Sequence, residues 1–312
     1  LSQDLDMESA ARASITELET VHTNSYLNEF RALSESGGGE IGLTAPFGAG
    51  GFEIASRSAG LVIAAVESVL KGELENAYAL SRPPGHHCMP DFPNGFCLLN
   101  NIGIAVKVAK AKNILQKVAI VDWDVHHGNG TEAIFYSDPS VFTISLHQER
   151  NYPLDTGSFD HRGDGAGKGF NLNIPLPPGS GHRAYIETMR RIVLPSIETY
   201  KPDLILVACG FDASGVDPLS RMLCSSNTFK EMTGMLVELA KKHCDGRLVM
   251  AHEGGYSEVH VPFCGHSVLQ VMSSSSINIS DPLENRIESQ QPSLEFDDFV
   301  FKIIHRIERE LF

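Results

Sequence analysis

The chain has 312 residues, 42% of them hydrophobic, so it can bury a full core, and α/β folds of this size often form one domain. A formal charge of −14, from 25 Lys and Arg against 39 Asp and Glu, argues against direct nucleic-acid binding and is compatible with cationic substrates. No apolar run approaches the ~18–20 residues of a transmembrane helix, so no membrane span is expected.

The opening LSQDLDMESAARAS has no basic start and no apolar stretch, so no signal peptide is expected. Without an initiating Met it reads as trimmed upstream, which leaves room for a leader to a plastid or mitochondrion. The expected setting is otherwise intracellular, in the cytoplasm or nucleus. Cys88, Cys97, Cys209, Cys224, Cys244 and Cys264 include no C-x-x-C pair and read as thiols of a reducing compartment.

In chain order, Ile15–Leu33 reads as a helix, with Ser14 and Glu17 placed for a capping box. Ser36–Phe52 is a long Gly-rich loop, mobile or functional. Ile54–Leu70 reads as a buried helix, Asn76–Leu80 as a short strand, and Ser81–Asn101 as a shaped loop carrying His86 and His87. A helix over Leu98–Lys112 leads to the apolar run Val118–Val121, a β-loop-α-β order typical of parallel sheets. The alternation repeats: helix Gly130–Tyr136, strand Ser140–His147, a second Gly-rich loop Arg150–Gly169, and strand Phe170–Ile174 before a breaker at Pro175–Gly181. Helix His182–Tyr200, strand Leu204–Ala208, helix Asn227–Cys244 and strand Arg247–Met250 follow. The polar run 273–292 reads as a flexible connection to a helix over 293–312, whose apolar face packs back on the domain or receives a partner.

The chemistry centres on Ile120–Gly130, IVDWDVHHGNG. Strand alternation puts Asp122, Asp124 and His126 on one side, where their burial needs neutralisation. A divalent metal would supply it; hydrogen bonding at a strand end is the alternative. His86 and His87, Asp212 and Tyr256 also follow strands, at the carboxyl ends where open parallel sheets build ligand sites. Asp124, His126 and Asp212 would leave a catalytic metal an open position. The paired histidines would supply acid and base, Asp122 would orient one of them, and Tyr256 would donate to an oxyanion. Each has a plainer reading as a loop, cap or half-buried residue; their repeated placement after strands favours a site.

RPPGHH, GFCLLNN, DWDVHHGNG, SLH, GFDASGVDPL and EGGY together resemble the zinc-dependent histone deacetylases, nearest the class II type and bacterial acetylpolyamine amidohydrolases. The resemblance runs in order from Tyr78 to Tyr256 and more weakly to both ends. It implies an arginase/deacetylase-like three-layer α/β/α fold with a mainly parallel sheet, one domain over 1–312. It implies zinc on Asp124, His126 and Asp212, with His87 as general base and acid. His86 becomes an electrostatic partner oriented by Asp122, and Asn129, beside the dyad, fits the class II pattern. Tyr256 would stabilise the tetrahedral intermediate, and Gly95, Phe96 and Tyr152 would line an acyl-lysine channel, with Leu219 and Gly254 on the substrate side.

A structural potassium would draw on Asp122, Asp124, His126, Ser145 and Leu146, and a second monovalent site on Phe135, Asp138 and Val141. The substrate implied is an acetylated protein or a small acetylated amine; oligomeric state stays open. Two departures stand out. The family's first strand has no counterpart before the first helix, and Ser36–Phe52 lacks a clear rim acid for gripping a peptide backbone. Leu219 stands where polyamine-selective relatives carry glutamate, which argues against polyamine selectivity. A binuclear ureohydrolase would need a carboxylate where Ser214 stands, and an inactive acyl-lysine scaffold would be expected to lose the dyad or Tyr256.

Overall fold

The computed structural model describes residues 1–312. Helix α1 (Ile15–Leu18) starts at Ser14, whose side chain and that of Glu17 form the expected capping box. The single helix anticipated over Ile15–Leu33 is broken, because His22 turns inward and Thr23 caps a second helix, α2 (Asn24–Glu35). The first Gly-rich loop carries a small hairpin, β1 (Gly38–Glu40) with β2 (Pro46–Gly48). Helix α3 (Gly51–Leu70), strand β3 (Asn76–Ala79), helix α4 (Asn101–Ala111) and strand β4 (Val118–Asp122) follow. Helix α4 begins three residues later than its apolar pattern, because the Asn100 side chain caps it by accepting the Gly103 N–H at 2.8 Å.

Next come α5 (Asn129–Phe135), β5 (Val141–Gln148) and β6 (Asn171–Leu176). Pro175 lies inside β6 instead of ending it. This is permitted because β6 is an edge strand, where a missing N–H breaks no ladder. The stretch His182–Tyr200 is helical throughout but splits into α6 (His182–Thr188), a π-turn at Met189–Val193 and α7 (Leu194–Tyr200). Pro195, with no N–H to give, sits where the π-turn hands over to α7.

Strand β7 (Leu204–Cys209), helix α8 (Ser226–His243) and strand β8 (Leu248–His252) complete the sheet. Helix α9 (Val261–Met272), opened by Pro262, had not been anticipated. The segment read as a flexible connection holds α10 (Glu284–Ser289) and is tied down: Ile287 and Asp281 are buried, and Gln291 bonds the His182 N–H and Leu223 carbonyl. Helix α11 (Leu294–Leu311) packs back on the domain against α6 and the π-turn through Val300, Ile304 and Ile307.

The main sheet has six strands in the order β3-β8-β7-β4-β5-β6, all parallel. Both faces are covered, as parallel sheets require. Val118 and Ile120 join an apolar cluster with α3 and α4, while Ala119 and Val121 join another with α6, α8 and α11. This is the expected three-layer α/β/α architecture. No helix is long and apolar enough to cross a membrane.

Candidate active site

Strands β3, β8, β7 and β4 are consecutive neighbours, so the loops leaving their carboxyl ends share one crevice. Pairing in β4 stops at Asp122, yet the alternation continues: Trp123 and Val125 stay buried in the far-face cluster, leaving Asp122, Asp124 and His126 on the opposite side. A backbone bond from the Gln148 N–H of β5 to the Val125 carbonyl at 2.9 Å and several side chains hold this extension. Asp122 Oδ1 accepts the Asp124 N–H at 3.1 Å and Asp124 Oδ1 that of His126 at 2.9 Å. From β7's loop, Asp212 Oδ1 accepts the Val125 N–H at 2.8 Å.

Donor atoms of Asp124, His126 and Asp212 all lie within 4.8 Å of one another, and all three residues are buried. His126 Nδ1 is 2.9 Å from Asp212 Oδ2 and 3.1 Å from Asp124 Oδ1. Burial and the neighbouring Asp124 charge push Asp212 up to about 7. Burial disfavours a charged His126, but Asp212 and Asp124 outweigh it and lift the ring to about 11. Two buried carboxylates facing one imidazole nitrogen call for a cation between them, and this donor set suits a catalytic metal with an open position.

Close packing leaves no room for side chains at two flanking glycines. A Cβ on Gly254 would lie 2.3 Å from Asp212 Oδ2 and 2.6 Å from Asp124 Oδ2, and one on Gly210 2.3 Å from Asp124 Oδ2. Gly254, anticipated on the substrate side, gives its N–H to Asp124 Oδ2 at 2.8 Å, so it shapes the Asp124–His126–Asp212 cluster.

The two histidines of the β3 loop stack with ring centroids 3.9 Å apart but have opposite electrostatics. His86 Nδ1 is 2.9 Å from Asp122 Oδ2, and its Nε2 lies 3.7 Å from Asp124 Oδ1. Burial opposes its protonation, yet Asp124 and Asp122 raise it to about 10. His87 Nδ1 is 2.8 Å from Asn129 Oδ1, a neutral partner; burial and the charge on His86 hold it well below the usual histidine range. Their surroundings therefore favour charge on His86 and disfavour it on His87.

Aromatic rings wall the approach. Tyr152 stands edge-on to His87 with centroids 5.2 Å apart, and Phe96 packs edge-on to Tyr256 at 5.8 Å. Gly95 (φ +49°) lies between, where a Cβ would come 2.4 Å from His87 Cδ2 and 2.7 Å from Tyr152 Cε1. Tyr256 is 6.5 Å from His126 between centroids, and burial raises its phenol far above the ordinary value, so it stays protonated. Phe96 and Leu219 are exposed at the rim.

Three supporting residues escaped the sequence reading. Asp217 accepts the Tyr256 N–H at 2.7 Å; Glu253 accepts the N–H groups of Gly85 at 2.6 Å and His86 at 3.1 Å; Asn94 accepts the Tyr152 hydroxyl. Asp217 and Glu253 lie inside GFDASGVDPL and EGGY, but their partners are distant in sequence. The residues anticipated for monovalent ions separate into two places. Ser145 pairs in register with Asp122, two residues before Asp124, and its hydroxyl lies 2.9 Å from His147 Nδ1. Leu146 is the next residue of β5, whereas Phe135, Asp138 and Val141 form a turn at that strand's other end, where Asp138 N–H bonds the Phe135 carbonyl at 2.9 Å.

Comparison with known proteins agrees. The family model described as "Histone deacetylase domain" matches residues 1–272. The chain belongs to the histone deacetylase family. It is 52% identical over 299 residues to the "Histone deacetylase-like amidohydrolase" of Pseudomonas aeruginosa, covering 96% of this chain and 79% of that protein. It is 38% identical over 301 residues to a "Probable deacetylase" of Archaeoglobus fulgidus, covering 95% and 82%. Among solved structures, that of the HDA15 HD domain superposes with a TM-score of 0.85 at 32% identity, covering 98% of this chain and 83% of that one. The fold is thus arginase/deacetylase-like, and the chain is a hydrolase acting on amide bonds.

Proposed function

We propose that the chain removes acetyl groups from N-acetyl-lysine side chains of proteins. The observation that supports this most is the convergence of Asp124, His126 and Asp212 with a neutral His87 and a protonated Tyr256 behind the aromatic walls of Phe96 and Tyr152. Asp124, His126 and Asp212 would hold zinc, the metal of the family. Zinc bound there supplies a Lewis acid that polarises the amide carbonyl and lowers the pKa of water towards ~7.

The chain's own groups do the rest. His87, its Nδ1 held on Asn129, has Nε2 free to take a proton from the attacking water and return it to the departing lysine amine. His86, kept charged by Asp124 and Asp122, favours the developing negative charge and keeps His87 from protonating prematurely. The Tyr256 hydroxyl donates to the oxyanion, and Asp217 on its backbone N–H sets the loop that carries it. Phe96 and Tyr152 flank the aliphatic lysine stem, Gly95 leaves room for it, and Leu219 contacts substrate at the rim. A structural potassium beside Asp122, Ser145 and Leu146, with a second at Phe135, Asp138 and Val141, belongs to the same proposal.

The test is a pair of variants. His87→Ala and Tyr256→Phe should each lose most turnover of an acetyl-lysine peptide while retaining zinc. Unchanged turnover in both would remove the assigned roles.

A further inference from the structure

Outside the machinery described above, the molecule holds a second buried chain of Ser, His and Asp. Ser214 Oγ lies 2.6 Å from His260 Nδ1, and His260 Nε2 lies 2.8 Å from Asp281 Oδ2. The types are those of a nucleophilic triad, but His260 is fully buried (0% exposed), so no substrate reaches it. The connection is structural, and its ends are informative.

Ser214 follows the ligand Asp212 by two residues, and its carbonyl accepts the Asp217 N–H at 3.0 Å. Asp217 in turn holds the Tyr256 N–H at 2.7 Å. His260 ends the loop that carries Tyr256 and bonds the Ser257 carbonyl through its own N–H at 3.0 Å. Asp281 lies beyond the family match, which ends at 272. It is fixed from elsewhere, accepting the Ser226 hydroxyl at 2.6 Å at the start of α8 and the Leu283 N–H at 2.8 Å. The loops of β7 and β8 are thus closed into one ring through the His260 imidazole, and Asp281 orients that imidazole from outside. A buried imidazole with a strong partner on each nitrogen has one orientation; without Asp281, His260 Nε2 keeps only the weak Cys264 Sγ contact at 3.9 Å, and the ring is held less firmly.

We propose that Asp281, in the carboxyl-terminal segment, is a positioning residue for the Tyr256 loop, acting through His260 and Ser214. This rests on the proposed role of Tyr256. Displacement of a reacting group by ~1 Å can lower turnover by ~100-fold, so a loosened loop should cost roughly tenfold in kcat.

The experiment is a double-mutant cycle between Asp281→Ala and Tyr256→Phe on the full chain, with kcat, KM and zinc content measured for all four proteins. The expected result is a kcat about tenfold lower for Asp281→Ala with unchanged KM and zinc, and no further loss when it is added to Tyr256→Phe. Asp281→Asn, which keeps an acceptor for His260, should restore most of the rate. Should Asp281→Ala fold poorly, Ser214→Ala breaks the same chain at its other end and should show the same non-additivity. An unchanged kcat in Asp281→Ala, or a loss that multiplies with that of Tyr256→Phe, would overturn the proposal. Full activity in Tyr256→Phe alone would remove the reading beneath it, a separate outcome of the same cycle.

Discussion

Replacing Gly254 with alanine changes no proposed ligand or catalytic side chain, yet it should weaken binding at the proposed metal site. The added Cβ would lie 2.3 Å from Asp212 Oδ2 and 2.6 Å from Asp124 Oδ2. Carbon and oxygen rest no closer than about 3.3 Å, so these carboxylates must retreat by roughly 1 Å. Asp212 is pinned through Oδ1 by the Val125 N–H and Asp124 through Oδ1 by the His126 N–H, so retreat breaks bonds that aim both groups. Zinc–oxygen bonds are about 2.0–2.2 Å long, and loss of one orienting contact weakens metal binding by about 10–100-fold.

With two of three proposed ligands displaced, the upper end applies: about 100-fold, or about 2.8 kcal/mol. The Gly254 backbone lies outside the left-handed region, so strain there does not confound the result. Gly234→Ala is the control, since a Cβ there meets nothing within 4 Å and lies mid-helix, where alanine should stabilise by about 0.5–1 kcal/mol. Zinc content after dialysis against a chelator, followed by competition titration, reads the effect. Wild-type zinc affinity in Gly254→Ala would refute the assignment of Asp124 and Asp212 as ligands.

Other expectations follow from the same geometry. His22 is buried with Nε2 accepting the Asn100 N–H at 3.0 Å, and burial lowers its pKa to about 4. The unfolded chain then takes up this proton as pH falls below ~6.5 while the folded one does not, so stability is full above ~6.5 and lost towards pH 4. That amounts to about 2 kcal/mol by pH 5, and urea unfolding at pH 7 and 5 should show His22→Gln with a correspondingly smaller loss. Chelation should abolish turnover and lower the melting temperature, because it would remove the cation proposed between buried Asp124 and Asp212; a melting temperature unmoved by chelator and by added zinc would count against a metal there. Adding a methyl at Gly95, 2.4 Å from His87 Cδ2 and at φ +49°, should lower kcat strongly while zinc stays bound, and unchanged kinetics would sever Gly95 from the channel.

Much of this architecture was legible in residue order because the central strands β4 and β7 are apolar runs ended by chemistry. Val118–Val121 followed by Asp122, and Leu204–Ala208 followed by Asp212, point to both strand and candidate site. What escaped depends on contacts between distant residues. The break between α1 and α2 exists because His22 reaches Asn100, 78 residues away. Pro175 reads as a breaker unless β6 is known to lie at the edge. The polar stretch 273–292 resembles a tether in composition, and only Asp281 on His260 and Gln291 on Leu223 show it as part of the domain. Gly254 looked like a substrate neighbour by position; its contact with Asp124 and Asp212 is visible only when three loops are brought together.

The most direct test of the central proposal is deacetylation of an acetyl-lysine peptide against an acetylated small amine, with zinc measured on the same sample. Turnover of the peptide by protein carrying a single zinc per chain is the predicted result. Zinc bound in full with neither substrate hydrolysed, or turnover of the small amine alone, would contradict it.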